Sequence, residues 1–362
     1  MAPTSHVPAV VTALNLNGLG VARALGRRGV PVYAVHAGDD GPELRSRHVR
    51  EVWRRTEGES LVDLLLTRAP TLGGDRPVLI AITDESVEAI ARDKDRLAPH
   101  YRVPMGDPRV VLEQLSKEGV DAAAKRIGMP VPPTRTCTSR DELEAALREL
   151  RPPFILKPKD KSEAYAKSGA KKAFRLDTPA EVLATYATFQ DFEPRVVVQE
   201  FIPGTDADVW FCLLAIGRSG APLGTFVGHK IRQWPPHCGG TSSCEPGRAD
   251  ELVALSVDYF EKVGLRGLGS LEFKRDPRDG RFHMIEPTVC RTDWQSAVAD
   301  DNGVPLPSAL ALGASQLGSP PGRLLPASGT TRPRVLDLVD PSAGASGVLV
   351  VRRSRAGARD RP

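Results

Sequence analysis

Two glutamates stand out because each lies in an apolar strand, where a lone carboxylate is costly. Glu272 sits in Ser270-Leu271-Glu272-Phe273-Lys274 and Glu286 in Met284-Ile285-Glu286-Pro287-Thr288. Between them, Pro277-Arg278-Asp279-Gly280 reads as the turn of a β-hairpin. Residues opposite one another in an antiparallel pair share a face. The two carboxylates therefore face each other if the hairpin centres on Asp279, which requires an odd-numbered loop. A centre half a step earlier puts them on opposite faces. Two acids side by side repel, and a shared cation is the simplest reason to keep them together. Mg²⁺ suits such a place, because it takes a few carboxylate oxygens and leaves its other positions to phosphates. The competing arrangement sends both side chains to solvent, or pairs them with Lys274 and Arg291.

The elements that must position these residues read as α/β. Ala9–Ala13 is a strand, Asn15–Gly20 a turn-rich loop, Val21–Arg28 a helix ending at Gly29, and Val30–Val35 a second strand. This is a βαβ unit of a parallel sheet. A further strand, Val78–Ile82, leads through Thr83-Asp84-Glu85 into a helix. Ligands of such sheets sit beyond the carboxyl ends of the strands. The Asn15–Gly20 loop and Thr83-Asp84 are thereby expected at the mouth of a cleft. Arg109–Ile127 reads as helical, and Ser139-Arg140-Asp141-Glu142 as a capping box opening another helix. Phe154–Pro158, Lys171–Leu176 and Arg195–Ile202 read as strands, with a polar loop from Lys159 to Ala170. Val209–Ile216 and Thr225–Gln233 alternate as strands do, and Glu251–Val263 is an amphipathic helix.

Composition bounds the function. The chain has 362 residues and a formal charge of only +4, with acids and bases interleaved, which argues against a nucleic-acid surface. The exception is the basic end from Arg352 to Arg361, expected to be a solvated, disordered tail. No run of about 18 apolar residues appears, so no membrane span is expected. No signal peptide is legible at the N-terminus. Five cysteines without CxxC spacing suit a reduced, cytoplasmic compartment. His237, Cys238 and Cys244 match no standard zinc spacing.

An ordered set of segments now joins the hairpin. Phe154-Ile155-Leu156-Lys157-Pro158 delivers a lysine at a strand end. Val197-Val198-Gln199-Glu200-Phe201-Ile202-Pro203-Gly204 follows, then Gly228-His229-Lys230-Ile231-Arg232-Gln233 and Gly239-Gly240-Thr241-Ser242. Glu272-Phe273-Lys274 and Glu286-Pro287-Thr288-Val289-Cys290-Arg291-Thr292-Asp293 complete it. In that order the chain resembles the ATP-grasp superfamily, and looks closest to its carboxylate–amine ligase branch, which includes D-aspartate ligase-like enzymes. The resemblance covers residues 8–315. It implies a Rossmann-like pre-ATP-grasp domain over 1–110 and a two-lobed α+β ATP-grasp domain. The lobes would be a small lid over 111–190 and a catalytic part over 191–318, followed by an extension over 319–362.

The resemblance also implies roles. Lys157 and Lys172 (or its neighbour Lys171) match phosphate-binding lysines, and Lys117 matches the lysine of an Asp-Lys step in which Ser116 here replaces the Asp. Gln199 matches the adenine edge, read further by the backbone C=O of Glu200 and N–H of Ile202. Asp208, or else Asp206, matches the ribose position. Glu272 and Glu286 match the metal carboxylates, with Thr288 where relatives carry Asn, which makes one ion safer than two. Arg232 and Arg291 are the candidates for stabilising an acyl phosphate, with Lys230 a weaker one, and Asp293 is placed to receive an amine. The Gly239–Ser242 stretch is expected to be a loop turning backbone N–H groups toward anionic oxygen. The implied reaction joins a carboxylate to an amine at the expense of ATP with Mg²⁺, or Mn²⁺, on small amino-acid-like substrates, and is compatible with a homodimer. Two rivals stand beside it. One is a catalytically weakened ATP-binding scaffold, which Thr288 and the glycine-poor 159–170 loop favour. The other is an NAD(P)-dependent oxidoreductase, suggested by Gly18-Leu19-Gly20 but lacking the third glycine, where Arg23 stands.

Overall fold

The structure, a computed structural model, describes residues 7–159, 173–234, 239–315 and 336–337. The chain forms two compact units. The first comprises Met1–Met129, Val209–Glu272 and Glu286–Pro362, and the second Pro130–Asp208 with Phe273–Ile285. These units are not collinear with the segments read from the sequence. The helices of residues 108–127 lie in the first unit, and the tip of the Glu272–Glu286 hairpin lies in the second.

The first unit opens with a four-stranded sheet of β1 (Ala9–Val11), β2 (Val32–His36), β3 (Glu51–Arg54) and β4 (Val78–Ile80), in the order β3-β2-β1-β4. All of its pairings are parallel, with Ala9 across from both Val32 and Val78. The central strands are buried along their whole length, as expected where helices cover a parallel sheet. The connection after β1 is not a loop. A helix runs from Leu16 to Gly26, and Asn15 caps it by accepting the Gly18 N–H. The asparagine and glycines that resemble a turn are thus the first turn of the helix. Gly18 is required there by contact: a Cβ would come 1.8 Å from the Ala13 carbonyl oxygen. Residues 109–127 likewise form two helices, Pro108–Gln114 and Lys117–Ile127, because Ser116 breaks the run and caps the second.

The second unit carries β5 (Thr134–Cys137), β6 (Phe154–Pro158), β7 (Phe174–Leu176) and β8 (Val196–Glu200) in an antiparallel sheet ordered β5-β8-β6-β7. Helices Arg140–Glu149 and Pro179–Ala187 cover one face. There Leu143, Leu147, Phe154, Leu156, Tyr186, Val196 and Val198 form its core. Full burial of each such apolar side chain contributes about 1.5–3 kcal/mol.

The chain then returns to the first unit with β9 (Val209–Ile216), β10 (Pro222–Trp234) and β11 (Gly240–Pro246), the helix Asp250–Val263, and the hairpin β12 (Gly267–Arg275) and β13 (Phe282–Val289). With the short β14 (Leu336–Asp337), the sheet order is β13-β12-β9-β10-β11-β14. Phe211, Leu213 and Leu268 join Val11, Leu25 and Ile80 in one core, so the parallel sheet and the six-stranded sheet are packed together. Residues 239–242, expected as a loop, belong largely to β11: Gly240 pairs with Trp234 and Thr241 with Gln233.

The hairpin does not have an odd-numbered loop. Asp276 N–H donates to Arg281 O at 2.8 Å, and Gly280 N–H to Asp276 O at 2.7 Å, which leaves four residues, Pro277–Gly280, in the turn. The strand that follows does not alternate either. Phe282, His283 and Met284 are consecutive buried residues, and Ile285 and Glu286 are consecutive exposed ones. The period-of-two reasoning that placed Glu286 across from Glu272 therefore does not apply to β13.

Candidate active site

In the first unit the base of the hairpin gathers charged groups. Glu272 is held by Lys230 of β10, whose Nζ lies 2.8 Å from Oε2 and also donates to Gln233 Oε1 at 3.2 Å. Lys230 is 2% exposed, so this cation is committed to the interior. Burial pushes the Glu272 carboxyl above its usual range; Lys230 opposes that rise, and the charges of Glu286 and Asp293 add to it. The two glutamates thus feel one another in spite of the even-numbered turn.

Past the end of β13, Arg291 binds two acids at once. Its Nε donates to Asp84 Oδ1 at 2.5 Å, its second terminal nitrogen reaches Asp84 Oδ2 at 3.3 Å, and its first donates to Asp293. Burial alone would lower the guanidinium, but the two carboxylates outweigh it and raise it. Thr288 Oγ1 donates to Asp293 Oδ2 at 3.3 Å, which leaves the hydroxyl oxygen as an acceptor. Asp84 opens the helix Asp84–Arg92, which Thr83 and Ser86 close with a reciprocal capping box. Asn17 donates its amide to Thr292 O and to Ile82 O, tying the residue after Arg291 to the end of β4.

Four carboxylates (Asp84, Glu272, Glu286, Asp293) here meet two cations (Lys230, Arg291). The excess is negative and every spare donor is a hard oxygen, which fits a divalent cation such as Mg²⁺. The one group of three converging acid or imidazole ligands among the described residues lies elsewhere, in the second unit, at Asp276, Asp279 and His283. Arginines already occupy that group. Arg278 binds Asp276 through Nε and a terminal nitrogen at 2.6 Å, and Arg151 reaches Asp276, Asp279 and Glu200.

Also in the second unit, β6 and β8 pair with Ile155 across from Gln199 and Lys157 across from Val197. Lys157 and Gln199 therefore share the face opposite the one packed under the helices. Thr134 Oγ1 donates to Pro132 O at 2.7 Å and accepts from Gln199 Nε2 at 2.8 Å. That chain of donors leaves the Gln199 amide oxygen as an acceptor. Arg175 of β7, across from Ile155, shares the face and lies over the Phe201 ring at 4.8 Å.

No family model matches the chain. D-aspartate ligase of Enterococcus faecium is 23% identical over 218 residues, which are 58% of this chain and 52% of that protein. A formate-dependent phosphoribosylglycinamide formyltransferase of Cupriavidus metallidurans is 28% identical over 256 residues, 65% of this chain and 60% of that protein. Among solved structures, the biotin carboxylase–β,γ-ATP complex of Campylobacter jejuni matches with a TM-score of 0.65 at 14% identity, over 91% of this chain and 75% of that one. An ADP complex of N5-carboxyaminoimidazole ribonucleotide synthetase matches with a TM-score of 0.62, also at 14%, over 92% of this chain and 83% of that one. The chain thus shares the fold of these solved structures and a remote likeness to these ligases and transferases.

The residues singled out from sequence fall into separate places. The first unit brings together Glu272, Glu286, Thr288, Arg291, Asp293 and Lys230. Arg232 is exposed on β10 across from Ser243 and, among the described residues, bonds to none of that group. Lys117 is exposed at the start of its helix, where Ser116 acts as the cap. In the second unit, Lys157 and Gln199 share a face, and Ile202 is buried. Glu200 has a side-chain role that its sequence position did not suggest: it accepts from Arg151 N–H at 2.9 Å and from Arg151 Nε at 3.2 Å. Asp208 Oδ2 accepts from Thr205 N–H and Oγ1, closing the turn after Gly204. Lys171, Lys172, His237 and Cys238 lie outside the described residues.

Asp84 was legible as a residue at the mouth of a cleft beyond β4, but not as the partner of Arg291. Its pairing with Arg291 spans 207 positions, and no local pattern encodes it. The oxidoreductase reading loses its motif, because Gly18 and Gly20 lie inside a helix and Gly18 packs against the backbone.

Proposed function

We propose that this protein is an ATP-dependent ligase joining a carboxylate to an amine through an acyl phosphate, with release of ADP and phosphate. The observation that carries the reading is the group at the hairpin base: Glu272 held by Lys230, with Arg291 clamped between Asp84 and Asp293. Such a site needs cations beside a transferring phosphoryl group and no covalent nucleophile. Bound Mg²⁺ would neutralise phosphate charge, held by Glu272 and Glu286 with Thr288 as a further oxygen; Mn²⁺ would serve the same donors.

A substrate carboxylate oxygen attacks the γ-phosphorus, and the bond to the β-phosphate oxygen breaks. Arg291, fixed from both sides, presents positive charge to the acyl phosphate. The amine nitrogen then attacks the acyl carbon, phosphate leaves, and the nitrogen's proton passes to a carboxylate or water. Asp84 and Asp293 surround the guanidinium with surplus negative charge, which favours an incoming ammonium group. Lys157 serves ATP phosphates, and the amide oxygen of Gln199 serves the adenine amino group as acceptor. Glu200 O and Ile202 N–H read the adenine edge, Asp208 the ribose, and Lys117 and Lys172 add phosphate charge.

The four-stranded parallel sheet is read as the Rossmann-like pre-ATP-grasp domain. The protein is read as cytoplasmic, acting on amino-acid-like substrates; no helix among the described residues is long and apolar enough to cross a membrane. The test is ADP and phosphate release across a panel of carboxylates and amines, with mass detection of the condensed product. Release that requires both a carboxylate and an amine supports the reading. ATP binding without turnover on any pair would support a scaffold instead.

A further inference from the structure

Among the described residues, one residue other than glycine has a positive φ: Cys290, at φ 55. A non-glycine residue in the left-handed region is strained, and such strain persists only where its surroundings over-determine it. Cys290 directly precedes Arg291. Its own environment is tight: it is 8% exposed, and its thiol donates to Arg266 O at 3.5 Å. The facing strand is kinked at the same level, where Gly267 has φ 96 and a Cβ would come 2.3 Å from Pro104 O and 4.0 Å from Cys290 Cα.

On the other side, Thr292 is 1% exposed, and its carbonyl accepts the Asn17 amide. Val289, Cys290 and Thr292 are thus all buried, and Arg291 between them, its side chain 17% exposed, reaches Asp84 and Asp293. A regular strand would place Arg291 on the face of Val289 and opposite Cys290 and Thr292, but β13 ends at Val289. The left-handed step at Cys290 turns the chain as the strand ends and sets the direction in which Arg291 leaves it.

We infer that Cys290 is a positioning residue whose left-handed backbone aims Arg291 between Asp84 and Asp293. The catalytic consequence rests on the ligase reading; the positioning itself does not. A valine at 290 nearly matches cysteine in volume but resists a positive φ through its branched Cβ. Glycine adopts that φ freely, and alanine lies between them.

The experiment is a double-mutant cycle of Asp84→Asn and Arg291→Gln, followed by denaturant unfolding. It is run in the wild-type, Cys290→Gly, Cys290→Ala and Cys290→Val backgrounds. The expected result is coupling retained with glycine, reduced with alanine and lost with valine. Equal coupling in every folded background would overturn the inference, and if the valine variant does not fold, the glycine–alanine comparison decides. In turnover assays the valine variant should lose about tenfold or more in kcat, with the KM for ATP unchanged, while the glycine variant stays within about threefold. Should the wild-type protein turn over no substrate pair, the ligase reading fails and the coupling series still decides the positioning.

Discussion

Replacing Lys230 by methionine removes the cation that faces Glu272 while keeping an apolar stem of similar length. Lys230 is 2% exposed and its Nζ lies 2.8 Å from the carboxylate, so no solvent ion takes its place cheaply. Breaking a buried pair costs about 3–5 kcal/mol, because the remaining charge stays buried. The Glu272 side chain retains 23% exposure and can take up a proton, which brings the expected loss to about 2–3 kcal/mol at pH 8. The pH dependence has a definite sign. Burial already raises the folded carboxyl above its unfolded value of about 4.3, so the folded state binds more protons than the unfolded state between the two values. Stability from this group therefore falls as pH rises through that window. Removing Lys230 pushes the folded value further up and widens the window. Urea unfolding at pH 5 and pH 8 measures this, with the Lys230→Met, Glu272→Gln double variant as the control. The loss should be larger at pH 8, and the double variant should recover most of it. A loss below about 1 kcal/mol at pH 8, or a double variant no more stable than the single one, would refute the reasoning.

Glu286→Gln should fold normally, since Glu286 is exposed, yet lose about 10²-fold or more in turnover, measured as ADP release at saturating ATP and Mg²⁺. Asp84→Asn should raise the KM for the amine by about fivefold and leave the KM for ATP unchanged, in initial-rate assays. Arg278→Ala should destabilise the protein by about 3 kcal/mol in urea unfolding, because Asp276 is 0% exposed and loses its main partner. Hydrogen bonding from Arg278 holds the Asp276 carboxyl below its usual range. Its contribution is complete above the unfolded value of about 3.9 and is lost as pH falls through the depressed folded value, so the variant should show a flatter acid limb.

Much of the frame was legible because it is written locally. β9 carries an unbroken apolar run, and the structure forms it over Val209–Ile216. The hairpin announced itself through Pro277–Gly280. Other features were hidden by residues that serve two purposes. Asn15 and the glycines after it resemble a turn and instead start a helix, because a capping side chain and a turn side chain make the same bond to a nearby N–H. β3, Glu51–Arg54, begins and ends with charge and showed no apolar run. At the site, sequence order brought Glu272, Glu286 and Arg291 to attention. It did not reveal that Lys230 neutralises Glu272, or that Asp84 clamps Arg291, because both pairs join segments distant in the chain. The parity of one turn also mattered: counting residues requires unbroken alternation, and β13 lacks it.

The central claim is that a substrate carboxylate takes the γ-phosphoryl group of ATP before the amine arrives. Once an active carboxylate is identified, its oxygens can be labelled with ¹⁸O and the inorganic phosphate formed during turnover analysed by mass spectrometry. The expected result is one ¹⁸O atom transferred to each phosphate, in step with amide formation. Phosphate that carries its only new oxygen from water would contradict it.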